Sequence, residues 1–281
     1  MRRPASFLLL LTAAAMLAGC NDHDTDKERG NTVAANRQAE APASGIGTTQ
    51  DGAADDVRKP GHDRSGKCGD LPTTVQLHNW LNSTPAEGEV GGFAGGRHEW
   101  AAVVDRQGRL CAVASADADP TMPWPGSLGI AKAKAFTANA FSSDTTPMST
   151  ARLYTMAQPG HSLFGAGAGD PLNPKCLQAP GDASADGTVC GGVIVFGGGL
   201  PLYRDKTKVG GLGVSGDTPC ADQEIAKRVR HAAKLDPVGG ATVDDITYSS
   251  VDGASIYTHP LCYHTWRNGQ KIGEEPVASG Y

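Results

Sequence analysis

The stretch V-G-G-L-G-V-S-G-D-T-P-C at residues 209–220 decides the fold, because Gly211, Gly213 and Gly216 fit the spacing G-x-G-x-x-G. That spacing binds a pyrophosphate when it follows the first strand of a parallel βαβ unit and an acid ends the next strand. Here the preceding segments predict strands with short turns, which must be antiparallel. The acid at the corresponding distance, Asp236, lies at the exit of a helix. The glycines therefore indicate close packing and a turn, not a nucleotide site.

The end of the same stretch predicts the start of a helix. Thr218 is placed as the N-cap and Pro219 as the first helical residue, and acids follow in the next turn. We expect this helix to run to about Leu235. The tail after it, residues 236–281, is polar and predicts irregular structure.

Periodicity outside this stretch predicts an α+β domain with five strands. An alternating pattern with a turn at D-R-Q-G predicts a β-hairpin over Trp100–Ser115. Helical spacing predicts helices over Leu71–Leu81 and Gly126–Phe141, with a shorter one over Ser149–Ala157. The predicted strands cover residues 98–105, 109–115, 191–196, 200–203 and 208–214.

The first 67 of the 281 residues are not expected to belong to the folded domain. Residues 1–20 combine a basic start, an apolar run and L-A-G-C, which resembles the lipobox of bacterial lipoproteins and predicts acylation of Cys20. An ordinary signal peptide or a buried apolar helix is the alternative. Residues 21–67 are polar, without aromatic residues, and predict a disordered tether before a domain at 68–281. We expect a lipid-anchored protein of the bacterial cell envelope, facing the periplasm or the exterior.

Charge and cysteine content exclude several classes of function. The formal net charge of −5 provides no basic face, so we expect no nucleic-acid partner. Six cysteines remain after Cys20, and an even number in an exported chain predicts disulfides. No Cys-x-x-Cys occurs, which argues against a zinc knuckle or a thioredoxin-type redox pair.

No catalytic signature is present in the sequence. Ser215 lies in G-V-S-G-D, which is not G-x-S-x-G, and there is no H-E-x-x-H. Asp117 and Asp119 more readily form a turn than a cation site. We expect no catalysis, although a small-molecule or haem-degrading enzyme stays open as an alternative.

Four motifs, taken in order, resemble the GlcG/HbpS-like haem-binding family, which also occurs as the C-terminal domain of PduO proteins. They are W-A-A-V-V-D-R-Q-G-R-L-C-A-V, A-K-A-K-A-F-T-A-N-A-F, F-G-G-G-L-P-L-Y and V-G-G-L-G-V-S-G-D-T-P-C-A-D. The resemblance covers residues 71–230. It implies a profilin-like, five-stranded antiparallel sheet with packed helices, often assembled into homo-oligomers. It also implies binding of haem or a similar flat ligand, with haem degradation or iron sensing in some members.

The resemblance suggests site residues and a disulfide pattern. The axial haem ligands differ between members of the family; the PduO-like branch uses a histidine near the first helix, for which His78 is the nearest match. His161, in an apolar loop, is the second candidate for haem iron, and Arg152 or Lys132 could pair with propionates. In such a sheet the pairing would be Cys68–Cys111, Cys176–Cys190 and Cys220–Cys262. The remaining alternative is a structural or interaction module whose glycine loops serve oligomer packing.

Overall fold

The computed structural model describes residues 68–178 and 187–278. The predicted signal at residues 1–20, with the acylated Cys20, and the tether at 21–67 lie outside these residues. No helix among the described residues is long and apolar enough to cross a membrane. The predictions for the N-terminal segment therefore stay predictions.

The main sheet is antiparallel and contains four strands among the described residues. These are β1 Trp100–Asp105, β2 Leu110–Ser115, β3 Gly199–Arg204 and β4 Thr207–Ser215, in the order β2-β1-β4-β3. The β1–β2 hairpin confirms the prediction over Trp100–Ser115. Strands β1 and β4 pair along the centre of the sheet, where they join the β1–β2 hairpin to the β3–β4 hairpin.

The fifth strand predicted at residues 191–196 is wrong. Gly191 and Gly192 have φ angles of 63° and 83°, which turn the chain out of an extended conformation. The Ile194 N–H then donates to the hydroxyl of Thr137 (3.0 Å), which itself donates to the Gly192 carbonyl (3.1 Å). The hydrogen bonds of this segment are thus made to a helix and not to a neighbouring strand.

The helices cover both faces of the sheet. They are α1 Thr74–Ser83, α2 Ser127–Ala140, α3 Ala166–Gly169, α4 Pro219–Ala232 and α5 Ser249–Asp252. The predicted helix at Ser149–Ala157 consists of two 3₁₀ turns, Thr150–Leu153 and Thr155–Ala157. Thr218 caps α4 as predicted, because its side chain accepts a hydrogen bond from the Ala221 N–H.

Alternate residues of β1 face the two helical layers. Ala101 and Val103 pack in one apolar cluster with residues of α1 and α4. Trp100, Ala102 and Val104 pack in the other cluster with residues of α2. Successive side chains of a strand point to opposite faces of the sheet, so a strand that is buried on both faces contributes to both clusters.

Two glycines of the opening stretch allow α2 to lie directly on β4. A Cβ atom at Gly211 would lie 2.2 Å from the Ala135 carbonyl oxygen, and one at Gly213 would lie 2.0 Å from the Ala131 carbonyl oxygen. No larger side chain fits at these distances. The predicted role of the glycines in close packing is confirmed.

The C-terminal extension, residues 236–278, is ordered against the domain and is not the irregular tail that the sequence predicted. It contains α5 and a hairpin of β5 Thr265–Arg267 and β6 Gln270–Gly273. Buried Arg230 of α4 forms an ion pair with buried Asp244, with Nη2 and Oδ1 2.7 Å apart. Charge burial of this kind is tolerated only with a partner, so the pair fixes the extension in one position.

All three expected disulfides are present. Cys68–Cys111 joins the segment before α1 to β2, Cys176–Cys190 closes the loop after α3, and Cys220–Cys262 joins α4 to the C-terminal extension. Their Cα–Cα distances are 5.5, 5.7 and 6.0 Å.

Candidate functional site

Three exposed aromatic rings lie together on the surface. Phe93, Trp124 and Tyr263, which we call the aromatic patch, have 64%, 58% and 43% of their surface exposed. The Phe93 and Tyr263 rings stack with centroids 4.8 Å apart and planes at 14°, and the Trp124 ring is 6.3 Å from that of Phe93. A cluster of large, solvent-exposed apolar side chains marks a binding surface more often than a single exposed side chain does.

A cavity of about 290 Å³ adjoins the aromatic patch. It lies where the loop before β1, the start of α4 and the C-terminal extension meet. Its volume is at the lower end of the range for small-molecule sites. Besides the patch, its walls include Tyr154, Phe196, Thr218, Pro219, His259, Pro260, Leu261, Cys262 and Glu275.

A buried carboxylate holds the loop that carries Phe93. Asp217 accepts hydrogen bonds from the N–H groups of Phe93 (2.6 Å), Ala94 (2.8 Å) and Gly96 (3.2 Å). A Cβ atom at Gly92 would lie 2.2 Å from the Asp217 Oδ1, so the loop can approach only with glycine there. The turn after β4 therefore positions one ring of the patch.

The Cys220–Cys262 disulfide holds the segment that carries Tyr263. The Cys262 N–H donates to the Thr265 hydroxyl (2.7 Å), and the Gly92 N–H donates to the His264 carbonyl (3.1 Å). The segment is thereby joined both to α4 and to the loop of Phe93. Covalent and hydrogen-bonded supports of this kind hold Tyr263 against Phe93 in a defined orientation.

His259 forms part of the cavity wall and is uncharged near neutral pH. Burial lowers the pKa of its imidazole from 6.5 to about 4. Its Nδ1 donates to the Pro260 carbonyl (2.7 Å), and its Nε2 accepts from the Gly197 N–H (3.4 Å). Because both ring nitrogens are engaged, His259 supports the cavity and is poorly placed to bind a metal.

Beneath the Asp217 turn lies a buried group of charges. Lys134 Nζ donates to Asp222 Oδ2 (2.5 Å), and Asp222 Oδ1 accepts from the N–H groups of Gly216 (3.2 Å) and Asp217 (2.9 Å). Glu99 is fully buried beside them. Burial, and then the negative charge of Asp222, raise the pKa of Glu99 well above its ordinary value of 4.5. Glu99 therefore keeps its proton in the fold at pH values where an ordinary glutamate is ionised.

Replacing Glu99 with glutamine should flatten the dependence of stability on pH. The folded protein retains the Glu99 proton, whereas the unfolded chain releases it above its ordinary pKa of 4.5. The stability from this proton is complete below that pKa and is lost as pH rises toward the raised pKa, at up to about 1.4 kcal/mol per pH unit. Urea unfolding of both proteins across the mildly acidic to neutral range measures the effect. Glu89→Gln, at an exposed site, is the matched control, and parallel wild-type and Glu99→Gln curves would contradict the assignment.

The residues suggested from the sequence do not come together. His78, on α1, bonds through Nδ1 to the Ser115 carbonyl (2.8 Å), whereas Lys132 is buried on α2, across the sheet, and donates to the Cys176 carbonyl (3.1 Å). His161 is exposed in the turn before Phe164. Arg152 donates to the Asp245 carbonyl (3.2 Å). Their roles toward haem stay predictions, and Lys132 would have to leave a buried position to meet a propionate.

Sequence reasoning missed the aromatic patch because its rings come from separate loops. Phe93 lies in a glycine-rich loop, Trp124 between two prolines, and Tyr263 in a tail that the sequence predicted to be irregular. The available signal was Cys262, the neighbour of Tyr263 in the chain. An expected disulfide from that residue to Cys220 already implied that the tail returns to the start of α4.

The fold and site define a disulfide-bonded α+β domain with an aromatic-lined cavity. The family model described as "Haem degrading protein HbpS-like" matches residues 94–230. Residues 94–230 therefore match the HbpS-like family model, in agreement with the resemblance that the four motifs carry. The match ends at Arg230, so Phe93 and the whole C-terminal extension lie outside it.

Three solved structures are similar to part of the chain. Klebsiella pneumoniae protein ORFY is 23% identical, with 57% of this chain and 86% of that chain covered and a TM-score of 0.40. The PduOC:heme complex is 26% identical (58% and 91% covered, TM-score 0.41), and HbpS is 20% identical (57% and 85% covered, TM-score 0.36). A search of the curated proteins gave no match. The likeness to the HbpS-like family rests on the family model.

Proposed function

We propose that the protein binds haem, or a similar flat conjugated ligand, at the aromatic patch and the adjoining cavity. The observation that carries the proposal is the exposed stack of Phe93 and Tyr263 with Trp124 beside it. Flat conjugated rings bind to aromatic faces through dispersion and offset stacking, and burial of these side chains adds an apolar contribution. The description of the HbpS-like family, which names haem, supports this ligand class.

The residues present fit such a ligand. The patch offers apolar ring faces, and the cavity next to it offers the uncharged His259 and the apolar side chains of Leu261 and Phe196. When bound, haem would supply an iron centre with open coordination positions. The protein's part would be to hold the ring between its aromatic side chains and to exclude water from one face.

We further propose that this binding occurs outside the cytoplasm on a lipid-anchored chain. The L-A-G-C motif ending at Cys20 and the polar segment after it support the anchor. The three disulfides support an oxidising compartment. Metabolic labelling with a palmitate analogue tests the anchor, since Cys20→Ser should abolish the label.

Haem binding is tested by titrating the purified, oxidised protein with haemin and following the Soret band. The double variant Phe93→Ala, Trp124→Ala should bind about tenfold or more weakly, because aromatic contacts contribute about 0.5 to 1.5 kcal/mol each beyond buried area. Phe164→Ala is the matched control, since Phe164 is 65% exposed and lies in the His161 loop. A loss confined to Phe164→Ala would move the site to that loop, and no spectral change at micromolar haemin would overturn haem binding.

Two other functions are separable in the same experiments. Haem degradation, which the family description names, predicts that bound haem loses its Soret band and releases iron when ascorbate and dioxygen are supplied. An interaction module predicts that the aromatic patch joins two copies of the chain. In that case Phe93→Ala, Trp124→Ala would lower the molar mass measured by light scattering, and haemin would not bind.

A further inference from the structure

One histidine lies at the edge of the aromatic patch. The His264 ring contacts Tyr263 edge-on, with centroids 3.9 Å apart and planes at 61°. Its side chain is 44% exposed. It extends the row of rings formed by Trp124, Phe93 and Tyr263 with a group that can bind a metal ion through a ring nitrogen.

A carboxylate orients this histidine. His264 Nδ1 lies 3.1 Å from Glu274 Oε1, and the His264 N–H donates to Glu274 Oε2 (2.8 Å). Lys271 Nζ lies 2.7 Å from the same Oε1 atom and so holds Glu274 in place beside the imidazole. Because a carboxylate only accepts, the uncharged ring carries its proton on Nδ1 and its lone pair on Nε2. Among the described residues Nε2 has no hydrogen-bond partner.

The backbone holds His264 in an uncommon conformation. Its φ angle is +48°, in the left-handed region, which is unfavourable for a residue with a Cβ. The bonds to Glu274 and from the Gly92 N–H keep it there. Such a conformation persists only where the surroundings determine it, and it is found at ligand sites more often than elsewhere.

We propose that His264 Nε2 is the protein ligand to the iron of a haem held on the aromatic patch. The inference rests on the proposed function and adds to it the residue and the direction of iron coordination. Three features together support it: a lone pair directed away from Glu274, partial exposure, and contact with Tyr263. His78 lacks this arrangement, because its Nδ1 bonds to the Ser115 carbonyl and its Nε2 is 3.4 Å from the Asn82 side-chain nitrogen.

The position of His264 places iron coordination in the C-terminal extension. The HbpS-like match ends at Arg230, so the ligand would come from a segment added to the family domain. The Cys220–Cys262 disulfide lies two residues before His264 and joins it to α4. Iron coordination would then depend on the oxidised state of that bridge.

The test uses His264→Asn in the full protein. Asparagine tolerates positive φ, and its amide can still donate to Glu274, so the local backbone is preserved while the imidazole is removed. We expect haemin affinity to fall by at least about tenfold and the ferric Soret band to shift. Glu274→Gln should weaken haemin binding by about 10- to 100-fold, as loss of a carboxylate behind a metal-bound histidine does. His231→Asn is the matched control, because His231 is 75% exposed and pairs with Asp236 at 2.6 Å.

Metal-free protoporphyrin separates iron coordination from ring stacking. Wild type and His264→Asn should bind it equally, because it lacks the iron and keeps the flat ring. An unchanged haemin spectrum and affinity in His264→Asn, while wild type binds haemin, would overturn the role of His264 and leave the proposed function intact. A wild type that binds neither porphyrin would overturn both.

Discussion

Replacing Asp244 with asparagine should lower the free energy of unfolding by about 3 to 5 kcal/mol. Asp244 is fully buried and forms two hydrogen bonds with Arg230, at 2.7 and 2.9 Å. Arg230 is itself fully buried, and its pKa is raised mainly by Asp244 against the opposing effect of burial, so it stays charged. Asparagine keeps the shape of the side chain but leaves the guanidinium without this counter-charge. Urea unfolding followed by tryptophan fluorescence measures the loss.

Asp70→Asn is the matched control for this measurement. Asp70 also pairs with an arginine, Arg204, at 3.3 Å, but its side chain is 81% exposed. An exposed ion pair contributes about 0 to 1 kcal/mol, so this variant should unfold almost as wild type does. Equal losses in the two variants would show that burial of the Arg230–Asp244 pair has no special weight.

The Asp244→Asn variant also tests whether the C-terminal extension contributes to ligand binding at the proposed site. Arg230 lies on α4, and Asp244 lies in the segment that leads to His259 and Tyr263. A second buried pair, Lys227 Nζ to Asp245 Oδ2 at 2.8 Å, acts on the same segment. If the extension carries part of the ligand surface, Asp244→Asn should weaken haemin binding under conditions where the protein remains folded.

Local signals in the sequence were sufficient for the centre of the fold. The glycines of residues 209–216 and the Thr218-Pro219 pair predicted β4, its turn and the start of α4 without knowledge of distant residues. The strand at 191–196 was wrong because a run of β-branched residues looks the same whether it pairs with a strand or packs on a helix. In the structure the Ile194 N–H donates to the hydroxyl of Thr137, which is distant in the sequence, and not to a neighbouring strand.

The candidate site depends on long-range contacts, and so sequence reasoning recovered little of it. The Phe93 N–H donates to Asp217, which is 124 positions away in the sequence, and no sequence pattern indicates that hydrogen bond. The polar composition of residues 236–281 predicted irregular structure. It could not show that Asp244 and Asp245 are buried against partners on α4. Histidines in the sequence could be counted, but only the fold distinguishes the exposed His264 from the buried His259.

The C-terminal extension and the HbpS-like segment, residues 94–230, together form the walls of the cavity. The HbpS-like segment supplies Trp124, Asp217 and the start of α4, and the extension supplies Tyr263 and the histidines. The cavity between them has walls from both. Conditions that loosen the extension should therefore affect ligand binding before they unfold the sheet, and acid is the condition for which the structure gives a specific group.

Lowering the pH from 7 toward 4 should cost the protein about 3 kcal/mol through His259 alone. The unfolded chain takes up a proton at the ordinary pKa of 6.5, whereas burial keeps the folded imidazole neutral down to about 4. The stability is therefore complete above pH 6.5 and is lost as pH falls to about 4. Glu99 and Asp222, whose pKa values are raised, act in the opposite direction over part of this range. The effect must accordingly be read as a difference between wild type and His259→Asn.

His259→Asn removes the titrating ring and can still donate to the Pro260 carbonyl. Its free energy of unfolding should be lower at pH 7, but it should lack the acid-dependent loss of about 3 kcal/mol. His161→Asn, at an exposed site, should retain the wild-type profile. Parallel profiles for wild type and His259→Asn would show that burial does not hold His259 neutral. Because Nε2 accepts from Gly197 only while it is unprotonated, acid should also open the cavity wall. Haemin affinity of wild type should then fall over the same pH range, and in His259→Asn it should fall less.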